Sequence, residues 1–237
     1  MSHADLPYKK TVWSLIDSRE EGSQMPLLNE ESAKNNSSVA LLLIDVINDL
    51  DFDRADELLA PALPMARKIA TLKREAAQRQ IPTVYVNDNF GQWKSDFRHT
   101  VEHCCAGNSR GREISRALRP EVSDYFVLKP KHSGFYATTL DVLLEYLKVD
   151  TLIITGIAAN ICVLFTANDA YMRDYRLCVP ADCVASNTAE ETEYSLRQMK
   201  NILKADIRAS TAIDLTVLKE RLAGGNEPLS GKIITAE

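Results

Sequence analysis

Residues 38–46 read SVALLLIDV, a short continuous apolar run that closes on a carboxylate. A run of this length without polar alternation is what a strand of a parallel sheet shows when both of its faces are buried. Asp45 sits near its end, where a charge is expensive to bury without a partner.

The pattern repeats downstream. Residues 54–80 carry apolar positions at helical spacing, and Pro61 and Pro64 predict a break between a short first helix and a longer second one. TVYVND (83–88) reads as the next strand. The segment 89–122 shows little regularity beyond a possible helix at 111–118. DYFVLK (124–129), TLIITG (151–156) and RLCVPA (176–181) read as further strands, and ADIRAS (205–210) as a sixth. Helical patterns at 138–149, 160–175 and 189–205 lie between them. Alternation of strands and helices with short links implies right-handed crossovers. The fold class is α/β: a three-layer α/β/α sandwich, Rossmann-like, around a central, mostly parallel sheet of about six strands. Ligands in such sheets sit beyond the carboxyl ends of the strands.

Around this unit, residues 1–37 are polar and irregular, ending in NEESAKNNSS, and read as an N-terminal extension. The domain proper covers 38–212, and 213–237 reads as a C-terminal helix and tail.

The balance of 45% hydrophobic and 26% charged residues in 237 is that of an ordinary globular protein. A net charge of −5 leaves no polybasic surface, which argues against nucleic acid as a partner. No apolar run approaches the ~20 residues of a membrane span, and the first residues lack the apolar core of a signal peptide. The expectation is a cytoplasmic protein acting on a small molecule. Five cysteines, at 104, 105, 162, 178 and 183, are odd in number and include an adjacent pair. They read as free thiols in a reducing compartment rather than as a disulfide framework.

Three strand ends carry chemistry: Asp45 after the first strand, Lys129 at the end of the third, and Cys162 just beyond the turn that follows the fourth. Each has an ordinary reading. Asp45 could cap a loop, Lys129 could extend to solvent, and Cys162 could be a small buried hydrophobe. Together, at one edge of one sheet, an acid, a cation and a thiol form a nucleophile set. A thiol at a helix start beside an ammonium is expected to favour thiolate, with the carboxylate accepting its proton and returning it to a leaving group. Amides of the turn before Cys162 would face a developing oxyanion. A dinucleotide site is disfavoured, because DVINDLDF after the first strand is no glycine-rich turn.

At these residues the sequence resembles the isochorismatase-like, or cysteine hydrolase, superfamily, which includes nicotinamidases, N-carbamoylsarcosine amidohydrolases and isochorismate hydrolases. The matching segments are LLLIDVINDL, VLKPKHSGFYATTLD and TGIAANICVLFTANDAY, in that order. The resemblance implies Cys162 as nucleophile, Asp45 as proton acceptor and donor, and Lys129 as the supporting cation. Lys131 competes for the last role, but the family's lysine stands four residues before a Ser-(Ala/Gly)-Phe triplet, here Ser133-Gly134-Phe135. It also implies a cis peptide at Ile157–Ala158 and an oxyanion hole from the amides of Ala158 and Cys162, in a dimer or tetramer. Nicotinamidases hold a metal with Asp-x-His and further histidines after the second strand. This chain reads NDNFGQWKSDFRH there, with Asp88 but no histidine before His99, so neither metal nor cofactor is expected. His99, His103, Cys104 and Cys105 look faintly like a metal cluster, but their spacing fits no zinc pattern and an ordinary structural reading is preferred. Asn89, Phe90, Trp93 and Phe135 are candidate pocket walls.

Isochorismate hydrolases often lack the cysteine, so its presence favours cleavage of a C–N bond in a small amide or ureido substrate through a thioester. The alternatives are proton-transfer hydrolysis of the isochorismatase type, a nicotinamidase, or a binding or scaffold protein that kept the fold.

Overall fold

The protein was analysed as a computed structural model that describes residues 37–89, 96–106 and 108–220. The first strand, β1 (Val39–Ile44), is buried at every position. Its side chains divide by alternation. Val39, Leu41 and Leu43 join one apolar core, and Ala40, Leu42 and Ile44 join the other, on the opposite face of the sheet. A strand that must satisfy two cores has no polar face, which explains the unbroken run in its sequence.

Beside it lie β2 (Thr83–Asp88), β3 (Tyr125–Lys129), β4 (Thr151–Ile157) and β5 (Arg176–Cys178), in the order β3-β2-β1-β4-β5, all parallel. The order reverses between β1 and β4, which opens a crevice beyond their carboxyl ends. Register aligns Asp88 with Lys129 and Ile44 with both Val86 and Gly156. The last residues of four strands therefore finish within two residues of one another.

The first helix, α1 (Ala55–Gln78), runs unbroken through Pro61 and Pro64, contrary to the expected division. The amide bonds those prolines cannot make would have reached the carbonyls of Glu57 and Ala60, both exposed residues that water can serve. The opposite face buries Leu58, Ala62, Met65, Ala66, Ile69, Leu72 and Ala76. Packing along 24 residues outweighs two lost hydrogen bonds at the solvent side.

In the segment that showed little pattern, two short helices form: α2 (Phe97–Cys105) and α3 (Arg112–Ala117). The Asp96 carboxylate caps α2 by accepting from the Arg98 amide at 3.0 Å. The other face of the sheet is covered by α4 (Leu140–Tyr146), α5 (Leu164–Tyr171) and α6 (Ala189–Asn201). A reciprocal capping box starts α6, where the Glu191 amide donates to Thr188 Oγ1 and the Thr188 amide to Glu191 Oε2, both at 3.1 Å. The last described helix is α7 (Leu215–Glu220).

The sixth strand is β6 (Val184–Ala185), paired with the end of β4, and not residues 205–210. Residues 176–185 follow one edge of β4 in two pieces, interrupted at Pro180 and a 3₁₀ turn over Ala181–Cys183. Residues 205–210 contribute only the single bridge between Cys178 and Asp206. Among the described residues, no helix is long and apolar enough to cross a membrane.

Candidate active site

Asp45 follows β1 with a left-handed backbone (φ 52°), a conformation that aspartate tolerates better than most residues. Its amide still donates to Val86 O at 3.0 Å, so the strand ends there and the side chain turns into the crevice. Asp45 Oδ1 accepts the Asp88 amide at 2.7 Å, and Oδ2 lies 2.8 Å from Lys129 Nζ.

Lys129 ends β3 with no exposed surface. Besides Asp45, its ammonium meets Asp88 Oδ2 at 3.4 Å and donates towards Cys162 Sγ at 3.6 Å. Lys131, its competitor in the sequence, is exposed. The loop after Lys129 is fastened at Ser133. Its hydroxyl donates to Asp169 Oδ2 in a very short hydrogen bond and accepts the Phe135 amide at 3.1 Å. Gly134 N donates to Thr166 Oγ1 at 2.9 Å, and that hydroxyl donates to Cys162 O at 2.7 Å. The lysine loop and the cysteine segment are thus tied directly to each other.

Cys162 lies in a π-helical turn over Ala159–Val163 that leads into α5, rather than in the first α-helical turn expected from sequence. The peptide Ile157–Ala158 just before it is cis. The Ala158 carbonyl accepts the Ile161 and Val163 amides at 3.1 and 3.2 Å. Asn160 is tied to the loop after β6, its amide donating to Ser186 Oγ at 3.2 Å while Oδ1 accepts from that hydroxyl at 3.0 Å. Gly156 makes this approach possible. It has φ 116°, and a Cβ there would lie 2.1 Å from Ile44 O.

Electrostatics correct one expectation. Burial, and after it the Asp45 carboxylate, push the Cys162 thiol up to about 12, although Lys129 pulls the other way. The thiol therefore keeps its proton at neutral pH instead of resting as thiolate. Burial also raises the Asp45 carboxyl, an effect that the charge and hydrogen bond of Lys129 only partly offset. For Lys129, burial opposes the ammonium, but the Asp45 carboxylate, with Asp88 beside it, favours the charged form and the group is held up. One buried ammonium supports one close anion well, and a second ionisation beside it is costly.

The site includes two groups absent from the candidate residues. Asp88 is the last residue of β2, in register with Lys129; its place at a strand end was the available signal. His132 Nδ1 lies 4.0 Å from Cys162 Sγ. Nothing in its spacing marks it, since only the folded loop brings it there. Of the proposed pocket walls, Asn89 is buried directly after β2, its amide donating to Lys129 O at 3.0 Å. Phe135 is a core residue, with its ring 4.8 Å from the Arg173 guanidinium carbon and 5.9 Å from the Tyr175 ring. Phe90 and Trp93 lie outside the described residues. His103 pairs with Asp49 (3.2 Å), and Cys104 and Cys105 are buried in the core. Among the described residues, no group of three or more His, Cys, Asp or Glu side chains is arranged to hold a metal ion.

The parallel α/β sheet presents these groups together at its carboxyl edge. Residues 39–210 match the isochorismatase domain family. The chain is 45% identical over 174 residues, 73% of its length and 95% of the relative's, to an uncharacterised isochorismatase family protein, YaaI, of Bacillus subtilis. It is 29% identical to a ureidoacrylate amidohydrolase, RutB, of Methylobacterium radiotolerans, covering 69% of this chain and 73% of that one. Among solved structures, the N-carbamoylsarcosine amidase of Thermoplasma acidophilum superimposes with a TM-score of 0.56 at 28% identity, over 74% of this chain and 98% of that one. The chain belongs to the isochorismatase family and is a hydrolase.

Proposed function

We propose that the protein is a metal-independent cysteine hydrolase that cleaves a C–N bond of a small amide or ureido substrate through a thioester on Cys162. The observation that carries this reading is the convergence of a carboxylate and a thiol, from separate elements, on one buried ammonium. Lys129 Nζ stands 2.8 Å from Asp45 Oδ2 and 3.6 Å from Cys162 Sγ. Two relatives are named for ureido or carbamoyl substrates and another for a nicotinamide-type amide, which supports a small amide or ureido substrate.

In the reaction, Sγ attacks the substrate carbonyl carbon while its proton passes to Asp45. The carbonyl oxygen, now an oxyanion, is held by the amides of Ala158 and Cys162. The C–N bond then breaks as the leaving nitrogen takes the proton from Asp45, and water cleaves the thioester to release the acid and restore the thiol. A thiol that keeps its proton at rest suits this order, because the proton is needed on the leaving nitrogen. Lys129 keeps the site from accumulating uncompensated negative charge as the proton moves. Five free thiols fit work in a reducing cytoplasm, and a homo-oligomer is the expected assembly.

The same elevated thiol favours one second reading, proton-transfer hydrolysis of the isochorismatase type led by Asp45, with Cys162 a bystander. Both are tested by screening N-carbamoyl amino acids and simple amides against the native protein and a Cys162→Ala variant. An acyl adduct on Cys162, seen by intact-mass spectrometry and absent in the variant, is the expected result. Full turnover by Cys162→Ala would overturn the covalent reading and leave the proton-transfer one.

A further inference from the structure

We propose that His132 is a second catalytic proton-transfer group, acting on the open side of Cys162 as the base that activates water against the thioester. The proposal rests on the covalent reading above and concerns its second half.

The two sides of the sulfur differ. Asp45 approaches from the buried side with both oxygens engaged, Oδ1 by the Asp88 amide and Oδ2 by Lys129. Asp45 is 6% exposed, whereas His132 is an exposed residue. Water entering from solvent therefore reaches the exposed imidazole more readily than the buried carboxylate. His132 is also held in place. Ser133, the next residue, is anchored to Asp169 and to the Phe135 amide. The imidazole packs against the ring of Phe165, with centroids 5.6 Å apart, one turn along the helical segment from Cys162. Among the described residues, the sulfur is the hydrogen-bonding neighbour of that imidazole. An exposed side chain so placed adds little to the core, and its position is explained by the sulfur it faces.

The charged or titratable groups facing this position are Cys162 from the π-helical turn and, behind it, Asp45, Lys129 and Asp88 from three strand ends. Lys131 adjoins it on its own loop. In the step proposed, water oxygen bonds to the thioester carbon and its proton goes to neutral imidazole. The C–S bond breaks, and the departing sulfur takes that proton back from the imidazolium. The products are a carboxylic or carbamic acid, the thiol and a neutral histidine.

The test uses p-nitrophenyl acetate to acylate the full chain, followed by desalting and intact-mass spectrometry to time the loss of the acetyl group from Cys162 across pH. His132→Gln is expected to acylate normally but to lose the acetyl group about a hundredfold more slowly. Free imidazole should speed release from His132→Gly. Equal release rates in native protein and His132→Gln would overturn the proposal, as would slow release from His132→Gly that imidazole leaves unchanged. Native protein that never acquires an acetyl group on Cys162 would instead overturn the covalent reading on which this one depends.

Discussion

The ammonium of Lys129 and the carboxylate of Asp45 meet at 2.8 Å with the lysine fully out of solvent. Neither charge is tenable there alone. Burial penalises both, and each offsets part of the other's penalty. The pair is therefore both the electrostatic centre of the site and a joint between β1 and β3, which are not neighbours in the sheet.

Removing one partner should cost more than removing both. Lys129→Met leaves Asp45 buried without its cation and should destabilise the protein by roughly 3–5 kcal/mol in urea unfolding. Adding Asp45→Leu to that variant should recover part of the loss. A Lys129→Met variant of native stability would mean that the pair carries no such coupling.

After burial, the Asp45 carboxylate is the chief influence raising the Cys162 thiol, so its removal should favour thiolate. In the native protein, alkylation of Cys162 by iodoacetamide should climb with pH past the ~8.5 of an ordinary thiol, without a plateau near neutrality. That follows from a thiol pushed up to about 12. In Asp45→Asn, Lys129 remains as the nearest charge, and alkylation at neutral pH should rise by about tenfold. A neutral-pH plateau in the native protein would contradict this account.

Gly156 should tolerate no side chain. A Cβ there would stand 2.1 Å from the backbone oxygen of Ile44 at a backbone angle of φ 116°. Gly156→Ala should cost about 3 kcal/mol or more, or prevent folding. At Gly134 the nearest atom is a Val86 methyl at 2.8 Å, a side chain that can shift. Gly134→Ala should be the milder change, and thermal unfolding of the two variants ranks them.

The Ser133–Asp169 hydrogen bond fastens the loop that carries Lys129 and His132. Ser133→Ala should lower stability by about 1–2 kcal/mol, since it leaves a half-buried carboxylate short of a donor. It should also reduce kcat by about tenfold through misplacement of groups around Cys162. A loss confined to stability, with kcat unchanged, would show that the loop holds its geometry by other contacts.

Much of this was legible in the chain itself, where local chemistry and tertiary demand agreed. The apolar run within residues 38–46 reads as a strand covered on both sides, and the double burial of Val39–Ile44 is the reason. The strand-end positions of Asp45 and Lys129 were readable because a charge after a buried strand needs an explanation. The continuous α1 was misread because proline propensity is a local preference. Which face Pro61 and Pro64 occupy is decided by the sheet that Leu58, Met65 and Ile69 pack against. The two-residue β6 has no pattern of its own, and exists only because β4 offers Gly156 and Ile157 an unpaired edge.

The sequence by itself determined the parallel α/β architecture and the set of acid, lysine and thiol, because burial periodicity and residue chemistry are written along the chain. Tertiary structure alone decided which lysine is buried, that Asp88 and His132 join the site, and that Phe135 belongs to the core. It also decided the state of the thiol. Charge state depends on through-space distances and on exclusion of water, and residues 45, 88, 129, 132 and 162 acquire both only when the strands align.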